Sequence, residues 1–369
     1  QGITWTHRVQ VVVPAQMDYP AAAVLVITGG TAGRDELMYL SIMAGAIGAP
    51  IVVLGDIPNQ PLFNGLNEDS LIAFTFAKYL ETGDPTWPLL FPMTKAAVRA
   101  MDAIEEYTAQ AWPDPVRDFV VTGASKRGWT TWFTGAVAPG RIRGIAPMVY
   151  DNLNLAAQMR HQIEAWGDYS PMIHDYTERG LPDLLHTEYG LRLAAMVDPY
   201  SLRRRITMPK LTITGTNDPY WPLDAANLYF DEMVGPNYIL YVPNSGHGLE
   251  DMMRVATSEV GFFLACTGRA PLPRPQWEFE GGRYLKLHVR PGGPVAGVSQ
   301  WTAYAETRDF RKATWTEEPA IERDGEYLCR LLPPESGYAA IFGEMDFDAD
   351  GREFPLSTNV RIISADESL

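Results

Sequence analysis

The chain has 369 residues, which at roughly 100 to 200 residues per domain corresponds to two or three domains. An apolar fraction of 46% with 20% charged residues excludes wholesale disorder, and only two cysteines, Cys266 and Cys329, exclude a disulfide-stapled scaffold while leaving a single bridge open. Thirty Lys and Arg against 45 Asp and Glu give a net charge of −15, and no basic run is longer than Arg203-Arg204-Arg205, which argues against nucleic acid as a partner.

Residues 7–11 (HRVQV) alternate in polarity and predict a half-exposed edge strand. Residues 24–28, 51–54, 118–122, 145–150, 211–214 and 238–242 are continuous apolar runs, as expected of strands buried on both faces of a largely parallel sheet. Helical patterns over 69–80, 93–111 and 249–266 lie between or after them, giving a βαβ rhythm. The interval 151–210 is too long for a crossover. It is helix-compatible over 153–165 and 184–196, is rich in Tyr, Met, Trp and His, and is expected to be a helical cap over a site. Pro271, Pro273 and Pro275 mark a linker, after which alternating runs at 284–289, 298–304 and 338–342 predict a β-sandwich. The expected organisation is an α/β domain formed by 1–150 and 211–270, a cap at 151–210 and a β-sandwich at 271–369. No run of about 18 uncharged apolar residues predicts a membrane span. Because the chain starts at Gln1 rather than Met, removal of a leader such as a signal peptide is expected.

The sharpest chemical signal is Val120-Val121-Thr122-Gly123-Ala124-Ser125-Lys126-Arg127-Gly128, an apolar strand running through small residues into a helical pattern at Trp129, Trp132, Phe133, Ala136 and Val137. This is the context of a nucleophile elbow, in which a strained turn exposes a serine hydroxyl at the end of a strand. The pattern departs from G-x-S-x-G, since Arg127 holds the last glycine position and the glycine comes at 128. The local alternative is a helix N-cap serine.

Chain order supports catalysis. Asp218 follows the strand at 211–214, and His247 follows the strand at 238–242 in Asn244-Ser245-Gly246-His247-Gly248, so the order Ser, Asp, His is that of α/β-hydrolases. A serine needs a base to take its proton and the base needs an acid to orient it, roles that Ser125, His247 and Asp218 would fill. Asp224 and Asp151 stay open as alternative acids, and Asp151 also as a substrate contact. An oxyanion hole would use the backbone N–H of Lys126 together with that of Gly30 or Thr31 in the loop after the first central strand. Arg127 is a candidate substrate contact or a structural ion-pair partner. His161, His174 and His186 have no metal-ligand spacing, so neither metal nor organic cofactor is expected.

The segment Gly123-Ala124-Ser125-Lys126-Arg127-Gly128-Trp129-Thr130-Thr131-Trp132 resembles the PhoPQ-activated pathogenicity-related protein family. So do Trp5-Thr6-His7, residues 67–74 (NEDSLIAF), residues 91–102 (FPMTKAAVRAMD), Gly215-Thr216-Asn217-Asp218 and Asp309-Phe310-Arg311, nearly end to end. The resemblance implies an α/β-hydrolase domain with a carboxy-terminal β domain, often in exported proteins, periplasmic or secreted, and names no reaction. With only four residues before Trp5, the first sheet strand is expected to be short or missing. The expected function is a serine hydrolase acting on an ester or amide of a small-molecule or peptide substrate. The alternative is a non-catalytic binding or signalling protein on a hydrolase scaffold.

Overall fold

The computed structural model describes residues 3–367, which divide into two compact units. The first comprises residues up to Ala157, Pro171–Leu211 and Glu232–Asn237; the second comprises Gln158–Ser170, Thr212–Asp231 and the chain from Tyr238 onward.

The first unit begins with β1 (Val9–Val12), β2 (Ala22–Ile27), α1 (Arg34–Ile47), β3 (Ile51–Leu54), α2 (Glu68–Thr82), α3 (Leu90–Ala111), β4 (Asp118–Ala124), α4 (Lys126–Val137) and β5 (Ile142–Met148). Its strands run in the order β1-β3-β2-β4-β5, with β1 antiparallel at the edge and the rest parallel. The apolar runs become strands because parallel pairing buries both faces, and β3 is buried along its full length. β5 ends before the run that predicted it, since Val149 takes φ 44° and turns the chain out of the sheet. Helix α1 escapes the sequence reading: its exposed Met38 and Ile42 blur the apolar periodicity. Helix α4 reads as amphipathic but is buried nearly all round. That is tolerated because the hydroxyls of Thr130, Thr131 and Thr134 donate to carbonyls one turn back, so their polar groups stay satisfied.

The interval 151–210 is helical, with α5 (Leu155–Trp166), α6 (His174–Thr177), α7 (Leu181–Leu184) and α8 (Glu188–Val197). The helix expected over 184–196 starts later, as α8, because Thr187 caps it by accepting from the Gly190 N–H at 3.1 Å. Helices α6, α7 and α8 pack on α2, and the indole of Trp129 donates to Val197 O at 2.7 Å. From Gln158 onward α5 belongs to the second unit, where Gln158 donates to Ala225 O and Gln162 to Tyr220 O.

The remaining elements are β6 (Lys210–Gly215), β7 (Asn237–Val242), α9 (Met252–Cys266), β8 (Gln276–Glu280), β9 (Leu285–Arg290), β10 (Val295–Ala305), β11 (Thr316–Pro319), β12 (Ile321–Arg323), β13 (Glu326–Leu331), β14 (Tyr338–Asp348), β15 (Glu353–Ser357) and β16 (Arg361–Ser364). In the second unit the strand order is β6-β7-β15-β14-β10-β11, with β16 also paired to β14, and a four-stranded antiparallel sheet β12-β13-β9-β8 stands apart from it. The two sheets meet face to face, Gly343 of β14 lying against Val289 and Leu287 of β9 as in a β-sandwich. One of the sheets is not autonomous. β15 joins β7 through the pair Ser357↔Ile239, and the Tyr241 N–H donates to Ser357 Oγ at 3.0 Å. A part-buried Arg254–Glu344 ion pair and the Phe354 ring seated on Gly261 further fasten α9 to these strands.

Candidate active site

Ser125 sits between β4 and α4 with φ 56° and ψ −121°, a backbone conformation that non-glycine residues rarely adopt. Its N–H donates to Met148 O at 2.8 Å and its C=O accepts from the Trp129 N–H at 3.0 Å, so the turn is pinned at both ends. The small residues are dictated by close approach. A Cβ at Gly123 would stand 2.9 Å from Ile27 O and from Arg127 O, and one at Gly128 only 2.7 Å from Met148 O. The glycine after the serine is thus required at 128, which explains the departure from G-x-S-x-G. The side chain at 127 has room to leave the turn.

Arg127 leaves it inward. Its Nε donates to Ile57 O at 2.6 Å and its two terminal nitrogens donate to the two Glu68 carboxylate oxygens at 2.7 Å, a bidentate fork. Burial works against the Glu68 carboxylate, but the hydrogen bonds and charge of Arg127 outweigh it and hold Glu68 down at about 2. Lys126 pairs with Asp69 at 2.7 Å and Glu68 at 3.2 Å; burial lowers its proton affinity, yet these carboxylates raise it above the ordinary lysine value. The Tyr176 hydroxyl from α6 donates to Asp69 Oδ1 at 3.0 Å, and burial together with Asp69 pushes its pKa well above the usual phenol value. Sequence reasoning offered an ion-pair role for Arg127 but did not identify Glu68 and Asp69 as the carboxylates, although residues 67–74 belong to the family-like segments.

Lys126 opens α4, so its N–H is among the helix donors left without an intrahelical acceptor. Gly30 and Thr31 follow β2, the strand paired with β4. Gly29 in the same loop lies against the Arg127 guanidinium, where a Cβ would be 2.3 Å from a terminal nitrogen. Asp151 lies just beyond β5 and is buried.

In the second unit, His247 Nδ1 lies 2.8 Å from Asp218 Oδ2, and the other carboxylate oxygen accepts from the Tyr220 N–H at 2.8 Å. Asp218 is 3% exposed, so its carboxylate oxygens are held by these bonds rather than by solvent. The Tyr220 ring lies over the imidazole at 4.1 Å between centroids, and Nε2 of His247 has no hydrogen-bond partner among the described residues. In the neutral imidazole whose Nδ1 donates to that carboxylate, Nε2 carries the lone pair that a general base requires. Asp224 is engaged elsewhere, with His161 Nε2 at 2.7 Å and Arg308 at 2.5 Å. Burial would raise the Asp224 pKa, but His161 and Arg308 hold it below the usual carboxylate value; burial lowers that of His161, and Asp224 brings it above the ordinary imidazole value.

His174 pairs with Glu178, and among the described residues no group of three or more His, Cys, Asp or Glu could hold a metal ion. Cys266 and Cys329 are both free thiols, which closes the open question of a bridge between them. No described helix is long and apolar enough to cross a membrane.

A family model described as PhoPQ-activated pathogenicity-related protein matches residues 1–311. Autocrine proliferation repressor protein A of Dictyostelium discoideum is 32% identical over 93% of this chain and 76% of its own length. Among solved structures, Est1E from Butyrivibrio proteoclasticus superposes with a TM-score of 0.44 at 16% identity, over 71% of this chain and 94% of that one. Pyrococcus horikoshii acylaminoacyl peptidase superposes with a TM-score of 0.46 at 14% identity, over 70% of this chain and 39% of that one.

Proposed function

This chain belongs to the PhoPQ-activated pathogenicity-related protein family, and we propose that within it the protein is a serine hydrolase, built on an α/β-hydrolase scaffold, that cleaves an ester or amide bond. The observation that carries this reading is the strained backbone of Ser125: a non-glycine residue at φ 56°, ψ −121° between a strand and a helix persists because close-packed glycines and hydrogen bonds over-determine it.

In the proposed reaction Ser125 Oγ attacks the substrate carbonyl carbon while His247 Nε2 takes the hydroxyl proton, and Asp218 keeps the Nδ1 proton in place and stabilises the imidazolium. The oxyanion is held by the Lys126 N–H and by that of Gly30 or Thr31. The tetrahedral intermediate collapses with the proton passing from His247 to the departing alcohol or amine. Water, activated by the same histidine, then attacks the acyl group on Ser125 and restores the serine. With Arg127 committed to Glu68 and Ile57, substrate recognition on this reading falls to other groups.

Reaction of the folded protein with a fluorophosphonate probe tests the reading. Covalent label on Ser125 that disappears in Ser125→Ala is expected; an unlabelled wild-type protein, or equal labelling of Ser125→Ala, would falsify it. A panel of acyl esters against aminoacyl and dipeptidyl amides then separates esterase from peptidase. The name of the Dictyostelium relative favours a second reading, a signalling protein on a hydrolase scaffold without turnover. Under that reading the probe leaves Ser125 unmodified.

A further inference from the structure

The loops that carry Asp218 and His247 are joined by a short relay. The Asn244 N–H donates to Thr216 Oγ1 at 2.9 Å, and the Thr216 hydroxyl donates to Asn217 Oδ1 at 2.7 Å. The Asn217 N–H also donates to Ser245 O at 2.9 Å. Both asparagine side chains then turn to one segment far along the chain. Asn217 Nδ2 donates to Ala313 O at 2.8 Å and Phe310 O at 3.2 Å. Asn244 exchanges two bonds with Trp315: the Trp315 N–H donates to Asn244 Oδ1 at 2.7 Å, and Asn244 Nδ2 donates to Trp315 O at 3.1 Å. An asparagine amide offers a donor and an acceptor as a peptide group does, so these two residues act as main-chain bridges where no strand runs.

The segment they grip is itself immobilised. Phe310 and Trp315 are 2% and 3% exposed, and the Trp315 ring lies 5.2 Å from that of Phe342 in β14. Asn244 adopts φ 56°, the left-handed region where asparagine is among the few side chains tolerated, so its identity serves both the turn and the bridge.

We infer that the segment from Phe310 to Trp315 is a positioning element for the Asp218–His247 pair, acting through Asn217, Thr216 and Asn244. The inference rests on the reading of that pair as the acid and base of a serine hydrolase. It makes the carboxy-terminal β region a working part of the catalytic apparatus, since the imidazole's place is set by carbonyls of residues 310 and 313 and by the backbone of Trp315. A misplacement of about 1 Å of a catalytic group costs about 100-fold in rate, so a clamp of this kind is worth orders of magnitude without touching substrate.

The test uses the full chain with Asn217→Ala, Asn244→Gly, which keeps the left-handed turn, and Thr216→Val, which removes only the hydroxyl at nearly constant volume. Two readouts are compared in each: the rate of fluorophosphonate labelling of Ser125, and the downfield Nδ1 proton resonance of His247, assigned by its loss in His247→Gln. The expected result is labelling slowed by about 10- to 100-fold in the two asparagine variants, with the resonance broadened or moved upfield while the melting transition stays cooperative. Should the asparagine variants fail to fold, Thr216→Val carries the same comparison. Folded variants with wild-type labelling rates and an unchanged resonance would overturn the inference. A wild-type protein that does not label breaks the hydrolase reading instead, and the resonance comparison still decides whether the segment positions His247.

Discussion

The turn that carries Ser125 and the loops that carry Asp218 and His247 are held by different forces. Around Ser125 the constraint is steric and local: glycines at 123 and 128 let carbonyls approach to distances that exclude any Cβ, and two main-chain hydrogen bonds close the turn. Around His247 it is polar and distant, made of asparagine side chains that reach residues 71 to 96 positions away and of a threonine hydroxyl that joins the two loops. Close packing fixes a serine whose own backbone is strained, whereas the imidazole proposed as the base is held by hydrogen bonds to its carboxylate partner and by clamped loops.

The contrast can be broken most sharply at Asp218, the proposed acid. Asp218→Asn should lower turnover or labelling by about four orders of magnitude, the effect known for the equivalent change in the Ser-His-Asp template, because the imidazole is left in the wrong tautomer. Near-normal activity in that variant would move the role to Asp151 or Asp224. On the steric side, Gly128→Ala drives a Cβ into the immovable Met148 carbonyl and should cost roughly 3 kcal/mol in denaturant unfolding. Gly30→Ala, whose Cβ meets nothing within 4 Å, should stay within about 0.5 kcal/mol.

A smaller effect is expected at Asp224→Asn. It weakens the pairing with His161 and Arg308 and should cost about 1–3 kcal/mol of stability while His247 keeps its bond to Asp218. Loss of labelling equal to that of Asp218→Asn would contradict the division between the two aspartates.

The smallest effect is a pH dependence at Glu68. Its carboxyl falls from an ordinary 4.5 to about 2 in the folded chain, so the stabilisation is present above 4.5 and is lost as pH falls through about 2. The melting temperature of Glu68→Gln should therefore fall less steeply than that of the wild type across this acid range. Parallel curves would detach Glu68 from the charge network beside the Ser125 turn.

Strand positions and the order Ser, Asp, His were legible in the sequence because each depends on a few consecutive residues: an apolar run, then a turn of small or polar ones. The edge strand, expected at 7–11 and found at 9–12, β3 and the helical nature of 151–210 followed from the same local patterns. Helix α1 was not legible, since its apolar residues serve two environments. Neither was the partner of Arg127. Glu68 is 59 positions away, and nothing in an Arg beside a serine says whether it turns toward substrate or into the fold.

What the sequence by itself determined is the chemistry on offer and its order along the chain. Short apolar runs, glycine spacing and turn residues encode strand ends, and strand ends are where Ser125, Asp218 and His247 stand. Only the tertiary structure decided which carboxylate the histidine takes, where Arg127 points, and that β15 pairs with β7 beyond a proline-rich linker that reads as a boundary. The reason is physical. Propensity and burial act over one turn or one strand, whereas pairings between residues tens to more than a hundred positions apart are selected only when packing brings them together and the cost of leaving a buried polar group unpaired chooses among them.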